Sequence, residues 1–132
     1  MVGAGHAGVE AAKIASKTGC KVFLVTMDKK SVGRMSCNPA IGGVAKGQIV
    51  REIDVLGGLM AKTTDVSGLQ FKILNKSKGR SVWSPRAQVD KRVYEQTISK
   101  AVLSDINITI VEGEATSLIV KNNSVCGVVL RN

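Results

Sequence analysis

Apolar and polar positions along the chain follow two periods, and the switches between them mark the elements. Val9, Ala12, Ile14 and Ala15 recur at helical spacing and predict a helix from about His6 to Thr18. Lys21-Val22-Phe23-Leu24-Val25-Thr26 is an apolar run of strand length. A second helix is predicted near Ala45 to Leu56, with Ile49, Val50, Ile53 and Leu56 on one face and Gly57-Gly58 ending it in a left-handed cap. Leu69, Phe71 and Ile73 alternate with Gln70 and Lys72, the pattern of a strand covered on one side. Ser84-Pro85 reads as a helix start, and Val89, Val93, Ile98, Ala101 and Val102 as the apolar stripe of a long helix. Ile106, Ile108 and Ile110 predict a further strand. Ser117–Val120 and Val125–Leu130 predict a hairpin across Asn122-Asn123, a dipeptide that tolerates positive φ. There are no repeats, linkers or low-complexity tracts.

The first helix opens on Gly3-Ala4-Gly5-His6-Ala7-Gly8, a G-x-G-x-x-G turn with helix and strand in register behind it. That order is the glycine turn, helix and second strand of a dinucleotide-binding βαβ unit. Gly3 makes the tight turn, Gly5 lets a pyrophosphate approach the backbone, and Gly8 lets helix and strand pack closely. The pyrophosphate would lie on the helix N-terminus, where N–H groups and the helix dipole meet its charge. His6, the only histidine, reads as a loop residue near that pyrophosphate rather than a base. Only Met1 and Val2 precede Gly3, so the first strand is expected to be mostly missing. The acidic residue that usually grips the ribose would fall at Thr26, whose hydroxyl can still donate and accept hydrogen bonds. Asp28, two residues on, reads as a turn residue.

The stretch Arg34-Met35-Ser36-Cys37-Asn38-Pro39-Ala40-Ile41-Gly42-Gly43-Val44-Ala45-Lys46-Gly47 places one thiol in a loop dense with turn formers, just before the second helix. Free N–H groups at that helix start, with Lys46 nearby, would favour anions and a thiolate at Cys37. The plainer alternative is a structural loop around a buried cysteine. Cys20 and Cys126 stand beside or within apolar strand patterns and read as core or edge thiols. Three cysteines without C-x-x-C spacing give neither a disulfide scaffold nor a zinc site, and no metal is expected.

Taken in order, these residues resemble one family. Gly3–Gly8 with His6, Thr26, the Met35–Gly43 block and Gly47-Gln48-Ile49-Val50-Arg51-Glu52-Ile53-Asp54 all match it. So do Leu56-Gly57-Gly58, Gln70-Phe71, Leu74-Asn75 with Ser77-Lys78-Gly79, and Arg86-Ala87-Gln88 with Asp90. The family is the tRNA uridine 5-carboxymethylaminomethyl modification enzyme, also called glucose-inhibited division protein A, and the likeness runs along essentially the whole chain. A related folate-dependent tRNA uridine methyltransferase shares the glycine loop but carries an acidic residue where Thr26 stands, which argues for the first family. The resemblance implies an α/β, Rossmann-like FAD-binding domain of glutathione-reductase type, truncated, with a β-hairpin at the C-terminal end. It implies an enzyme that uses FAD, NADH and methylenetetrahydrofolate to build an aminomethyl-type group on the wobble uridine of tRNA. Its partners would be a GTPase and, at full length, a second copy of itself. Cys37 matches one of two family cysteines given a role in adding to uridine C6 or moving a proton. FAD would bind across Gly3, Ala4, Gly5, His6, Ala7 and Gly8, with its adenosine near Thr26 and its ring toward Cys37. Ala115 matches the family position whose backbone lies beside the adenine.

Length and charge bound these expectations. At 132 residues the chain makes one domain, residues 1–132, expected to be a partial FAD-binding domain that by itself does not catalyse. The alternative is a non-catalytic nucleotide-binding module or gene remnant. A net charge of +9 favours a polyanion such as tRNA or the cofactor's phosphates, and Lys72, Lys76, Lys78, Arg80 and Arg86 form the expected phosphate-facing strip. Only four aromatics are present, too few for a base-stacking platform. No run approaches membrane-spanning length and no signal peptide precedes Gly3, so a reducing cytoplasm is the expected compartment.

Overall fold

A computed structural model describes residues 1–131. Helix α1 (His6–Lys17) follows the glycine turn and leads to strand β1 (Val22–Thr26). Strand β5 (Ile108–Glu112) pairs with β1 in parallel, Val22 opposite Ile108 and Thr26 opposite Glu112. On the other side of β1 the first residues complete a third, parallel line. Val2 bridges Val25, the Val25 N–H donates to the Met1 carbonyl, and the Gly3 N–H donates to the Val25 carbonyl. The segment before the glycine turn is therefore seated in the sheet where a dinucleotide-binding unit needs it. Leu24 and Val25 are buried between the layers, and full burial of a leucine such as Leu24 contributes about 2 kcal/mol.

A second sheet is antiparallel, in the order β2 (Ala40–Gly42), β4 (Ser84–Val89), β3 (Gly68–Leu74). Helices α2 (Lys46–Val55) and α3 (Met60–Ser67) connect β2 to β3. Helix α4 (Lys91–Leu103) returns to the parallel pair, burying Tyr94, Ile98 and Val102. The chain then closes in a hairpin, β6 (Glu114–Lys121) against β7 (Ser124–Arg131). Asn122 and Asn123 both adopt positive φ at its turn, as their dipeptide predicts. This is an α/β fold with a Rossmann-like parallel sheet and a C-terminal antiparallel hairpin.

The structure corrects four expectations. Ser84-Pro85 starts strand β4, not a helix; the helix begins at Lys91, capped by Asp90, whose carboxylate accepts the Arg92 and Val93 N–H groups at 2.8 and 3.0 Å. Ser84, Ala87 and Val89 are buried by that strand, so Val89 belongs to the sheet and Val93 stays exposed on the helix. On α2 only Val50 and Ile53 turn inward; Ile49 and Leu56 are exposed. Strand β3 exists as predicted, but Leu69, Phe71 and Ile73 are open, with Leu69 at 70% exposure. Ile106 lies outside β5 and is 96% exposed. Helix α3 has no apolar period that announces it and no side-chain cap of its own. A distant carboxylate caps it instead: Glu10 of α1 accepts the N–H groups of Leu59 and Met60.

Candidate active site

The geometry of the glycine turn follows from close approach. An added Cβ at Gly8 would lie 1.8 Å from the Gly3 carbonyl oxygen, so the first turn of α1 packs directly on the chain entering it. Gly5 stands at the N-cap of α1 in an extended conformation with no side-chain cap. A Cβ built on Gly5 meets nothing within 4 Å. Val9 is the first residue of the helix whose N–H reaches back, to the Gly5 carbonyl at 3.0 Å. The amides of His6, Ala7 and Gly8 precede that first bond and have no backbone partner, the arrangement of a backbone anion seat. Ala4 is buried behind it.

Glu10, one turn beyond His6, lines the same side of α1. The His6 ring meets Tyr94 edge to face at 5.8 Å. Burial pushes the His6 pKa below its ordinary value, while Glu10 and Glu95 pull the other way. His6 was expected in the loop but is the first residue of α1, its ring packed on a tyrosine. The Tyr94 hydroxyl is buried without a hydrogen-bond partner, and burial raises its pKa strongly.

Thr26 ends β1, buried beside Glu112 in the register of β5. Its hydroxyl donates to the Asp28 carbonyl at 3.2 Å and accepts the Asp28 N–H at 3.4 Å. The local turn therefore uses the Thr26 proton, leaving a lone pair rather than a donor for a ribose. Asp28 is a turn residue, as expected, capping a short 3₁₀ turn by accepting the Lys30 N–H. Gly113 joins β5 to β6, its N–H donating to the Thr26 carbonyl, and places Ala115 three residues past the end of β5.

The loop carrying Cys37 is fixed to the glycine turn at one point and to α4 at two. The Gly33 N–H donates to the Ala4 carbonyl at 2.8 Å. Gly33 has φ +69 and lies so close to α4 that a Cβ there would meet Ile98 at 2.2 Å. The Met35 N–H donates to the Glu95 carboxylate at 2.8 Å, and Met35 itself is buried. Past Cys37, the Ala40 N–H bonds the Asn38 carbonyl at 2.7 Å, a tight turn at Pro39. Gly42 ends β2 opposite Arg86, at φ +91.

These constraints bring the two motifs to one cleft of about 510 Å³. Its wall includes His6, Ala7 and Glu10 from α1, Cys37 from the loop, Lys46 from α2 and Arg86 from β4. Cys37 is exposed on this wall, which rules out the buried structural cysteine. Cys20 and Cys126 are also exposed, which selects edge over core for both thiols, and neither lines the cleft. The start of α2 departs from expectation too. The Lys46 N–H donates to Val44 and the Gly47 N–H to Gly43, both at 2.8 Å, so these amides are not free for a thiolate or a phosphate. Ala45 between them has φ 61 and ψ −37, a γ-turn in a strained region for a residue with a side chain.

Of the basic strip, Lys72, Lys76 and Arg86 gather with Arg51 around a neighbouring cleft of about 670 Å³, against Phe71 and Ile73. Arg80 turns instead over the Trp83 ring at 5.8 Å, and Lys78 stays on the surface. Glu10 and Glu95 were not read as site residues from sequence, and Arg86 was read only as part of the basic strip. Glu10 had a signal, since it falls four residues after His6 on one helical face. Glu95 had none, because it acts across a separation of 60 residues. Among the described residues no helix is long and apolar enough to cross a membrane.

A parallel sheet with a glycine turn on a helix N-terminus defines a Rossmann-like α/β protein. The profile of the family "Glucose inhibited division protein A" matches residues 1–132, and the chain belongs to that family. It is 54% identical over 128 residues to the tRNA uridine 5-carboxymethylaminomethyl modification enzyme MnmG of Endomicrobium trichonymphae, covering 97% of this chain and 21% of that protein. The corresponding protein of Chlorobium phaeobacteroides is 52% identical over 130 residues, again with 98% of this chain and 21% of the relative covered. Among solved structures, Aquifex aeolicus GidA in its form II crystal superposes with a TM-score of 0.91 at 50% identity, over 98% of this chain and 21% of that one. The chain thus spans about a fifth of the length of these relatives.

Proposed function

We propose that this chain is the FAD-binding part of an enzyme that modifies the wobble uridine of tRNA at C5. One observation carries the reading: the anion seat of α1 and the Cys37 thiol open onto a single cleft. The seat has the features an FAD pyrophosphate needs, with unpaired amides and empty space where a Cβ on Gly5 would stand. Gly3, Ala4, Gly5, His6, Ala7 and Gly8 would hold the diphosphate, and Thr26 and Ala115 would border the adenosine. FAD supplies redox chemistry, with NADH as reductant in the full-length enzyme.

Cys37 supplies chemistry of the chain itself. As a thiolate it adds to uridine C6, forming an S–C6 bond while the C5–C6 π electrons move onto C5 and the C4 oxygen. C5 then attacks the methylene carbon of methylenetetrahydrofolate. The bond from that carbon to one folate nitrogen opens, the nitrogen keeping the electron pair and taking a proton while the carbon stays bonded to C5 and to the second folate nitrogen. Loss of the C5 proton returns the electron pair, and the S–C6 bond breaks. In the second role open to Cys37, it moves that C5 proton while another thiol adds. Lys46 and Arg86 on the same wall offer positive charge to the enolate oxygen. A GTPase partner and a homodimer belong to the same reading at full length.

The test is Cys37→Ser in the full-length protein. Flavin absorbance should stay at the wild-type level, because the glycine turn is untouched, while formation of modified uridine in tRNA is lost. Near-normal turnover by Cys37→Ser would remove Cys37 from the chemistry.

A further inference from the structure

A second charged cleft, of about 780 Å³, shares no lining residue with the candidate active-site cleft. Its wall is formed by the exposed face of α4 and the segment after β1. Arg92, Gln96, Ser99, Lys100 and Leu103 fall on one helical face, turned away from Tyr94, Ile98 and Val102. Lys30 and Arg34 face them from the loop. None of Lys30, Arg34, Arg92 and Lys100 forms an ion pair among the described residues. The only carboxylate in the wall, Glu95, is already engaged by the Met35 N–H and by Lys91 at 4.0 Å.

Four unpaired cations around one cleft repel each other and hold a field that an anion relieves. We propose that this cleft seats the phosphate backbone of RNA, as a binding surface separate from the cofactor cleft; with tRNA as the RNA, it rests on the function proposed above. Three features favour a polymer backbone over a small anion. Arg92 to Lys100 spans about 12 Å of helix axis, longer than one phosphate. No aromatic residue lines the cleft, so nothing there stacks on a base, and Gln96 and Ser99 add neutral donors suited to phosphate oxygens. Arg34 faces this cleft while Met35 is anchored on Glu95 and Cys37 lines the candidate active-site cleft. A backbone held here would therefore position the RNA against the loop that presents the thiol, without reading sequence.

The experiment compares the full-length protein with the variant Lys30→Glu/Arg92→Glu/Lys100→Glu, measuring affinity for an unmodified tRNA transcript across a salt series. Flavin absorbance and thermal unfolding report whether the fold survives. The variant should keep its flavin, lose roughly tenfold or more in tRNA affinity, and show a log K against log salt slope shallower by about 2 to 3. Should charge reversal unfold the protein, the neutral pair Arg92→Gln/Lys100→Gln is used, with a slope loss of about 1.5 expected. A folded variant that binds tRNA with unchanged affinity and slope overturns the proposal. So does tripolyphosphate binding that is lost in the variant while tRNA binding is kept, since it leaves a small-phosphate seat. A wild-type protein that holds no flavin and leaves tRNA unmodified defeats the proposed function instead, and does so whatever the salt series shows.

Discussion

Two glycine-rich turns in this chain lead into helices, and they handle backbone amides in opposite ways. Before α1, the amides of the first turn are left open, and the space in front of Gly5 is empty. Before α2, the Lys46 and Gly47 amides are bonded to Val44 and Gly43, and Ala45 is held at positive φ to do it. The first turn leaves its donors without a partner in the chain. The second spends its donors on itself and serves as a rigid wall for the cleft. Glycine content does not distinguish them; the allocation of hydrogen bonds does.

The largest effect that would break this contrast is expected at Gly8. Gly8→Ala puts a Cβ against the Gly3 carbonyl, which belongs to the backbone and cannot rotate away. A loss of about 3 kcal/mol in stability, and of flavin with it, is expected in denaturant unfolding and absorbance of the full-length protein. Gly5→Val sharpens the point. Gly5 is extended and its Cβ position is open, so stability should change by no more than about 0.5 kcal/mol while flavin retention is lost. Full flavin retention in Gly5→Val would show that the cofactor does not approach this turn.

At the second turn the sign reverses. Ala45→Gly relieves a strain of about 1–2 kcal/mol and gives back part of it as unfolded-chain entropy. A net gain of up to about 1 kcal/mol should appear in the unfolding midpoint, and a loss would mean that Ala45 is not strained.

The smallest effect lies behind α1, where Asp105 accepts hydrogen bonds from Lys13, Ser16 and the Asn107 amide. The Lys13 bond first, then those from Ser16 and Asn107, lower the Asp105 pKa to about 2. A depressed carboxylate stabilises the fold above its unfolded pKa near 4, and that stability drains as pH falls toward 2. Asp105→Asn should therefore lower the midpoint at pH 7 and flatten the acid limb between about pH 4 and 2. An unchanged acid limb would locate the acid sensitivity elsewhere.

Local pattern was enough for the elements whose cause is local. The glycine turn, α1, β1 and the Asn122-Asn123 hairpin rest on spacing and on φ preferences carried by the residues themselves. The identity of the family was legible for the same reason, since its motifs are contiguous. Ser84-Pro85 misled because a proline fixes φ near a value that suits helix and strand starts alike. Only the pairing of Pro85 opposite Ile73 decided for β4.

Sequence by itself determined the βαβ beginning, the glycine turn, the thiol in a glycine and proline loop, and the basic balance of the chain. Tertiary structure alone decided that Cys37 shares a cleft with His6, that Thr26 spends its proton on Asp28, and that Glu10 caps a helix 50 residues away. It also decided that Lys30 and Arg34 meet Arg92 and Lys100. The physical reason is range. Turn preference and periodicity act over a few residues, whereas hydrogen-bond partners and charge neighbours are assigned only when distant segments pack together.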